Sequence, residues 1–144
     1  MPLTIECMDP KTLINDFEKL EDWQQKYGKI IAMGKELPSL PEEFKIDDLK
    51  VKGCQSQVWL KAGLDSEGSV VYQGESDSMI VQGLLSLLIQ VYSGRKAGEI
   101  LSISPDFLEE LGLKKHLSPN RANGVYAMVK QILLYAQAFK ALQN

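Results

Sequence analysis

The stretch that decides the fold is VWLKAGLDSEGSVVYQG, residues 58–74. Apolar residues recur at every second position through residues 58–64, which is the repeat of a half-buried strand. Residues 65–68 combine Asp, Ser and Gly, which favour a turn, and residues 69–74 are rich in Val and Tyr, which favour a second strand. The stretch therefore predicts an antiparallel β-hairpin as the core of a sheet.

Helical patterns flank this hairpin on both sides. Apolar spacing or cap signals predict helices at about residues 10–21, 22–34, 79–92, 97–103, 106–111 and from 119 onward. Asp9–Pro10 and Ser118–Pro119 each place a capping side chain before a proline, and Asp77 or Ser76 is expected to cap the helix at 79–92. The order predicts one α+β domain over residues 1–144, in which helices cover one face of a small antiparallel sheet of about three strands.

Length and charge limit the class of protein. The chain has 144 residues, 16 Lys and Arg against 19 Asp and Glu, and 44% hydrophobic content, as expected for one globular domain with a sizeable core. Its charges form no long block of one sign, so we expect no nucleic-acid partner. The apolar stretch at residues 79–92 is too short to span a bilayer, and residues 1–7 do not resemble a signal peptide. We therefore expect a cytoplasmic protein with no membrane association.

Few residues are available to bind a metal ion or to form a disulfide. The chain contains two cysteines, Cys7 and Cys54, and one histidine, His116. These side chains do not complete a four-ligand zinc site without carboxylates, and a reducing compartment argues against a disulfide framework. The sequence also lacks a nucleotide-binding glycine pattern and a Cys-x-x-Cys pair. We expect no metal site.

The segment Gly53-Cys54-Gln55-Ser56-Gln57 is the one whose composition is hardest to explain by packing. It lies at the entrance of the first predicted strand, where glycine permits unusual backbone conformations and polar side chains surround the thiol. One interpretation is a functional loop with a reachable nucleophilic cysteine, because hydrogen-bond donors stabilise a thiolate. The other is a buried structural cysteine, which is the usual state of free cysteine. Composition leaves both interpretations open.

Three other polar residues have competing interpretations. His116 precedes the last helix, and the sequence alone favours a surface residue near a helix entrance. Arg121 falls in the first turn of that helix, where the dipole disfavours a cation, so another group is expected to hold it, and an anion at the Cys54 loop is one candidate. Asp77 is either a helix cap or a contact for a partner protein.

A small cysteine hydrolase is the competing enzyme class. Cys54, His116 and Asn120 or Asn123 occur in the chain order of papain-like enzymes. Those enzymes place the nucleophile at a helix N-terminus, which lowers its pKa, whereas Cys54 leads into a predicted strand. A third possibility is an interaction module in which Cys54 merely packs.

Several segments of the chain resemble one known family. They are residues 13–17 (LINDF), 22–23 (DW), 34–38 (GKELP), 51–59 (VKGCQSQVW), 74–77 (GESD) and 116–124 (HLSPNRANG). In order and spacing these motifs resemble the SufE family of sulfur acceptors in iron-sulfur cluster biogenesis, over nearly the whole chain. The resemblance implies the α+β fold that SufE shares with IscU-like scaffold proteins.

The resemblance also implies a function. A pyridoxal-phosphate cysteine desulfurase would pass sulfane sulfur to Cys54, which would carry it as a persulfide to an iron-sulfur cluster scaffold. The pyridoxal phosphate belongs to the desulfurase, so this chain is expected to need no cofactor and to act as a sulfurtransferase partner rather than a stand-alone enzyme. Supporting or partner-binding roles are implied for Gly53, Gln55, Ser56, Gln57, Asp77, His116 and Arg121.

Two structural expectations follow for the free protein. A persulfide is easily reduced or oxidised, so we expect the Cys54 side chain to tuck into an apolar pocket under its loop, with Asp77 as a latch or docking charge. The apolar helix surface is compatible with a homodimer.

Overall fold

The computed structural model describes residues 7–143 of the chain. In chain order its elements are α1 (Pro10–Glu18), α2 (Trp23–Glu36), two 3-10 turns (Glu42–Phe44 and Asp47–Leu49), β1 (Val58–Leu64), β2 (Val70–Ser76), α3 (Met79–Tyr92), α4 (Ala97–Ser102), α5 (Phe107–Glu110), α6 (Leu113–His116) and α7 (Pro119–Gln143). The hairpin and the helices around it confirm the predicted α+β class. Among these helices, none is long and apolar enough to cross a membrane.

The sheet has two strands, so the expectation of about three strands was wrong. β1 and β2 pair antiparallel along their whole length. The outer edges carry isolated bridges only, from Trp59 to Lys50 and from Val70 to Arg95. Within residues 7–143 no further strand forms, because the connector before β1 folds into 3-10 turns and the chain after β2 turns directly into α3.

Helix α3 is the centre of the core. Most of its side chains are buried, and Leu85, Leu87 and Leu88 have no exposed surface. It packs against α2, β2 and α7. The apolar character of residues 79–92 therefore reflects burial on several sides at once.

Helices α2 and α3 pack so closely that their backbones are in contact. A methyl group on Gly83 would lie 2.1 Å from the Ile30 carbonyl oxygen, and one on Gly34 would lie 2.7 Å from the Gly83 amide nitrogen. Only glycine leaves room for this contact. Gly34 is thus an interior residue of α2, which runs on to Glu36, and not the helix end that the sequence suggested.

The N-cap of α3 is Ser78, and the expected cap at Asp77 or Ser76 was wrong. The Ser78 side chain accepts a hydrogen bond from the Val81 amide, and the Ser76 hydroxyl oxygen accepts one from the Ser78 amide. Strand β2 continues to Ser76, so Ser78 is the residue with extended backbone that directly precedes the helix. The Asp77 carboxylate is left available for another partner.

Helix α7 is tied to the hairpin by two tyrosine hydroxyl groups. The Tyr72 hydroxyl donates to the Ile132 carbonyl at 2.7 Å, and the Tyr135 hydroxyl donates to the Leu60 carbonyl at 3.0 Å. These bonds fix the position of α7 relative to the sheet. Its first turns thereby lie against the loop that precedes β1, where Gly53 approaches Ala127.

Replacing Gly83 by alanine should lower the free energy of unfolding by about 3 kcal/mol, because the new methyl group would overlap the Ile30 backbone and force α2 and α3 apart. Gly28→Ala is the matched control in α2, since a methyl group there meets nothing within 4 Å. That variant should gain up to about 1 kcal/mol from helix propensity. Urea denaturation followed by circular dichroism measures both, and similar effects of the two substitutions would contradict the close-packing interpretation.

Candidate functional site

The Cys54 loop consists of residues 52–57 and is closed at its base. The Val51 amide donates to the Val58 carbonyl at 2.8 Å. Both valines are buried, so the two ends of the loop are anchored in the core while residues between them reach the surface. The core therefore presents Cys54 on a short, pinned loop.

Gly53 lets this loop lie against α7. Its φ of 93° is in the left-handed region, which side chains other than glycine rarely adopt. A methyl group at this position would also come within 3.3 Å of the Ala127 side chain. The glycine before the cysteine is thus explained by both backbone conformation and close approach, which is what the sequence interpretation of the loop required.

The Cys54 thiol rests on the backbone of α7. It is partly buried, and its Sγ lies 3.5 Å from the Gly124 carbonyl oxygen, to which the thiol donates. A methyl group on Gly124 would stand 3.5 Å from Sγ, in ordinary van der Waals contact, so the sulfur lies directly beside this residue of the helix. Burial raises the pKa of the Cys54 thiol above its ordinary value. The resting group is therefore a protonated thiol at neutral pH.

A cavity of about 380 Å³ opens beside this thiol. Its polar lining comes from the loop and the start of α7: Gln55, Ser56, Ser118, Asn120 and Arg121. Its apolar lining comes from the interior faces of α3 and α7: Val81, Leu84 and Met128. Within this lining Arg121 is the one charged side chain, so the cavity wall carries a positive charge and no acidic group.

Asp77 binds the C-terminal residue of the loop, Gln57, next to the start of β1. Its Oδ1 accepts a hydrogen bond from the Gln57 amide at 3.0 Å, and its own amide donates to the Gln57 carbonyl at 3.2 Å. Both residues are exposed. Asp77 therefore contacts the loop at its base and does not line the cavity.

His116 lies apart from the cavity lining. Its ring stacks on Trp23 with centroids 4.1 Å apart, and its carbonyl accepts a hydrogen bond from the Tyr27 hydroxyl. These contacts join α6 to α2. The cavity lining contains no imidazole, so the thiol lacks there the base that a cysteine hydrolase needs. Of the two asparagines considered for such an enzyme, Asn120 lines this cavity and Asn123 lines a different one.

The sequence-predicted residues thus divide into groups. Cys54, Gln55, Ser56 and Arg121 meet at the cavity, while Gln57 and Asp77 meet at the base of the loop. Gly53 turns toward a second cavity, on another side of the loop.

Sequence reasoning did not assign a role to Gly124 or to the apolar wall from α3. Gly124 carried a usable signal, because glycine inside a long helix costs about 1 kcal/mol relative to alanine and calls for a packing reason. Val81 and Leu84 carried none, since they look like any other core residues of α3. In the described part of the chain there is also no cluster of three or more His, Cys, Asp or Glu side chains that could hold a metal ion.

Comparisons with known proteins agree with this architecture. The chain is 43% identical over 128 residues to SufE-like protein 1, chloroplastic/mitochondrial, of Arabidopsis thaliana, covering 88% of this chain and only 34% of that longer protein. It is 41% identical over 132 residues to an uncharacterized SufE-like protein of Synechocystis sp., covering 92% and 82% of the two chains. It is 38% identical over 124 residues to the sulfur acceptor protein CsdE of Escherichia coli, covering 85% and 84%.

A solved structure and a family model extend these matches. The fold is similar to the solution structure of a hypothetical protein from Thermus thermophilus, with a TM-score of 0.76 at 20% identity over 94% of this chain and 96% of that one. The model of the SufE family, described as an Fe-S metabolism associated domain, matches residues 11–136. With relatives of about 40% identity over most of its length, the chain belongs to the SufE family.

Proposed function

We propose that Cys54 accepts sulfane sulfur from a pyridoxal-phosphate cysteine desulfurase, carries it as a persulfide and passes it to an iron-sulfur cluster scaffold. Family membership and the similarity to a sulfur acceptor protein support a role as a sulfur acceptor in iron-sulfur metabolism. The observation that carries the proposal is the position of Cys54, whose thiol stands in the wall of a cavity on a short pinned loop.

The loading step is an exchange between two sulfur atoms. The Cys54 thiolate attacks the outer sulfur of a persulfide on the desulfurase, and a new S–S bond forms on Cys54. The S–S bond of the donor breaks, and the donor cysteine leaves as a thiolate. The outer sulfur transfers in its protonated form and can ionise once it is on Cys54. One S–S bond forms as another breaks, so the exchange needs no external oxidant or reductant.

The resting geometry keeps the Cys54 thiol weakly reactive in the free protein. Because burial raises the pKa of the Cys54 thiol, little of the reactive thiolate is present in the free protein at neutral pH. The long contact to the Gly124 carbonyl and the Asp77 bond to the Gln57 amide hold the loop in this position. A partner that draws the loop outward would rehydrate the sulfur and lower its pKa, so docking and activation would be coupled.

The charge of the cavity suits an anionic cargo. A persulfide is more acidic than a thiol and is largely ionised at neutral pH. Arg121 supplies a cation in the same wall as Cys54, and no acidic side chain of that wall opposes it. The described ion pairs do not involve Arg121, so its charge is available to the cavity.

Cys54→Ser should abolish sulfur acceptance, because serine offers no thiolate. After turnover of a desulfurase with cysteine, intact-protein mass spectrometry of the parent should show an adduct of about 32 Da, the mass of one sulfur atom. Cys7→Ser is the matched control and should keep the adduct, since Cys7 lies outside the loop, with its thiol bonded to the Ser93 carbonyl. An adduct found on Cys7 alone would rule out the assignment.

The rate of Cys54 alkylation by iodoacetamide should rise with pH through a midpoint above the ordinary thiol pKa. Only the thiolate reacts, and burial favours the thiol form in the folded chain. In urea the midpoint should fall back to the value of a free thiol. Measured in the Cys7→Ser background, a folded-state midpoint at or below the ordinary value would mean that the thiol is already activated in the free protein.

Asp77→Ala should raise the alkylation rate of Cys54 several-fold at fixed pH, because the loop loses the carboxylate that holds the Gln57 amide. A net hydrogen-bond contribution of about 1 kcal/mol corresponds to roughly a fivefold change in loop opening. Asp65→Ala is the matched control, since Asp65 accepts from the Glu67 and Ser69 amides in the hairpin turn. Equal rates in the parent and in both variants would show that Asp77 does not latch the loop.

A further inference from the structure

The cavity beside Cys54 is much larger than the proposed cargo. Its volume is about 380 Å³. A water molecule occupies roughly 30 Å³ of liquid, and a single sulfur atom is of comparable size. Pockets that bind small molecules begin at about 300 Å³. The space next to the thiol therefore fits a whole small molecule.

The lining of the cavity has two chemical characters, as small-molecule sites usually do. Val81, Leu84 and Met128 supply apolar surface for a carbon chain. Ser118, Asn120 and Arg121 supply polar groups from the first turn of α7 and its flank. The Cys54 thiol belongs to the same lining. A ligand in this space would therefore meet an apolar wall, a cation and a sulfur nucleophile together.

The cation in this lining is of a kind that recognises planar anions. A guanidinium presents several N–H donors in a rigid fork that matches the two oxygens of a carboxylate, whereas a single sulfur atom has no second acceptor atom to match the fork. No Asp or Glu side chain is part of the lining to neutralise Arg121. The wall is therefore suited to a ligand that carries a carboxylate.

We propose that this cavity binds a low-molecular-weight thiol that carries a carboxylate, and that such a thiol takes the outer sulfur from Cys54. The proposal rests on the sulfur-acceptor function and adds a class of small acceptor to it. The thiolate of the bound molecule attacks the outer sulfur of the Cys54 persulfide. The S–S bond on Cys54 breaks, Cys54 leaves as a thiolate and the small molecule becomes a persulfide, with no net oxidation or reduction.

The first test uses the thiol itself and needs neither a desulfurase nor a persulfide. Iodoacetate and iodoacetamide alkylate thiolates by the same displacement of iodide, but only iodoacetate carries a carboxylate. In the Cys7→Ser background, the iodoacetate to iodoacetamide rate ratio at Cys54 should exceed that of a free thiol by about three- to fivefold, as expected for a solvent-accessible ion pair.

Arg121→Gln should return this rate ratio to the value of a free thiol. Lys130→Gln is the matched control, since Lys130 is a cation on the same helix that lines a different cavity. It should leave the ratio almost unchanged. Arg121→Lys keeps the charge without the fork and should fall between the parent and Arg121→Gln. A parent ratio equal to that of a free thiol, or one that survives Arg121→Gln, would overturn the proposal.

The second test measures the transfer. Protein loaded at Cys54 with polysulfide is mixed with mercaptopropionate or mercaptoethanol, and loss of the sulfur adduct is followed by mass spectrometry. The rate with mercaptopropionate should saturate with concentration in the parent, and its advantage over mercaptoethanol should be lost in Arg121→Gln. Linear dependence on both thiols, with no effect of the substitution, would refute the transfer.

The two proposals fail in different ways. If a desulfurase loads Cys54 but neither test shows a carboxylate preference, the small-acceptor proposal alone is wrong. If a desulfurase does not load Cys54 while the alkylation preference holds, the sulfur-acceptor function is wrong, and so is the transfer that rests on it. The alkylation result then reports an anion-selective thiol cavity with another use.

Discussion

The hydrogen bonds from two tyrosines to backbone carbonyls are the constraint on which the site depends. Tyr72 and Tyr135 connect the hairpin to α7, one from the sheet to the helix and the other in the reverse direction. Tyr72 is buried, and burial raises the pKa of its phenol, so the hydroxyl stays a donor at any ordinary pH. Because both ends of the connection are rigid elements, the position of Gly124 relative to the Cys54 loop is fixed by the core and not by the loop itself.

The sequence predicted the parts of this fold that depend on local pattern. The alternation in residues 58–64, the apolar run in 79–92 and the proline after Ser118 each correspond to an observed element. The third strand was wrongly expected because pairing along a sheet edge depends on the path of the connector before β1. The short 3-10 turns in that connector produce no recognisable periodicity of hydrophobic residues in the sequence. Gly34 was misplaced for a related reason, since the partner that requires it, Gly83, is distant in sequence.

The sequence could predict only those site residues that lie together in one short segment. Cys54 and its polar neighbours stood out because their composition does not suit a core. The Asp77 contact to Gln57 joins the residue after β2 to the residue before β1, and the cavity joins α3, α7 and the loop, so both needed the tertiary structure. His116 is the opposite case. It belongs to a family motif in the sequence, but in the structure it stacks on Trp23 and lies outside the cavity lining.

The closure of the Cys54 loop by the Val51–Val58 bond limits how far the sulfur can travel. Cys54 is three residues from Val51, and an extended chain spans at most about 3.6 Å per residue, so the cysteine backbone can lie no more than roughly 11 Å from its anchor. This radius is less than the width of a small protein domain. For the proposed sulfur transfer, this short reach means that a donor and a recipient protein would have to approach the same mouth of the cavity in turn. Under the proposed function, delivery would therefore be sequential, with release of one macromolecule preceding arrival of the next.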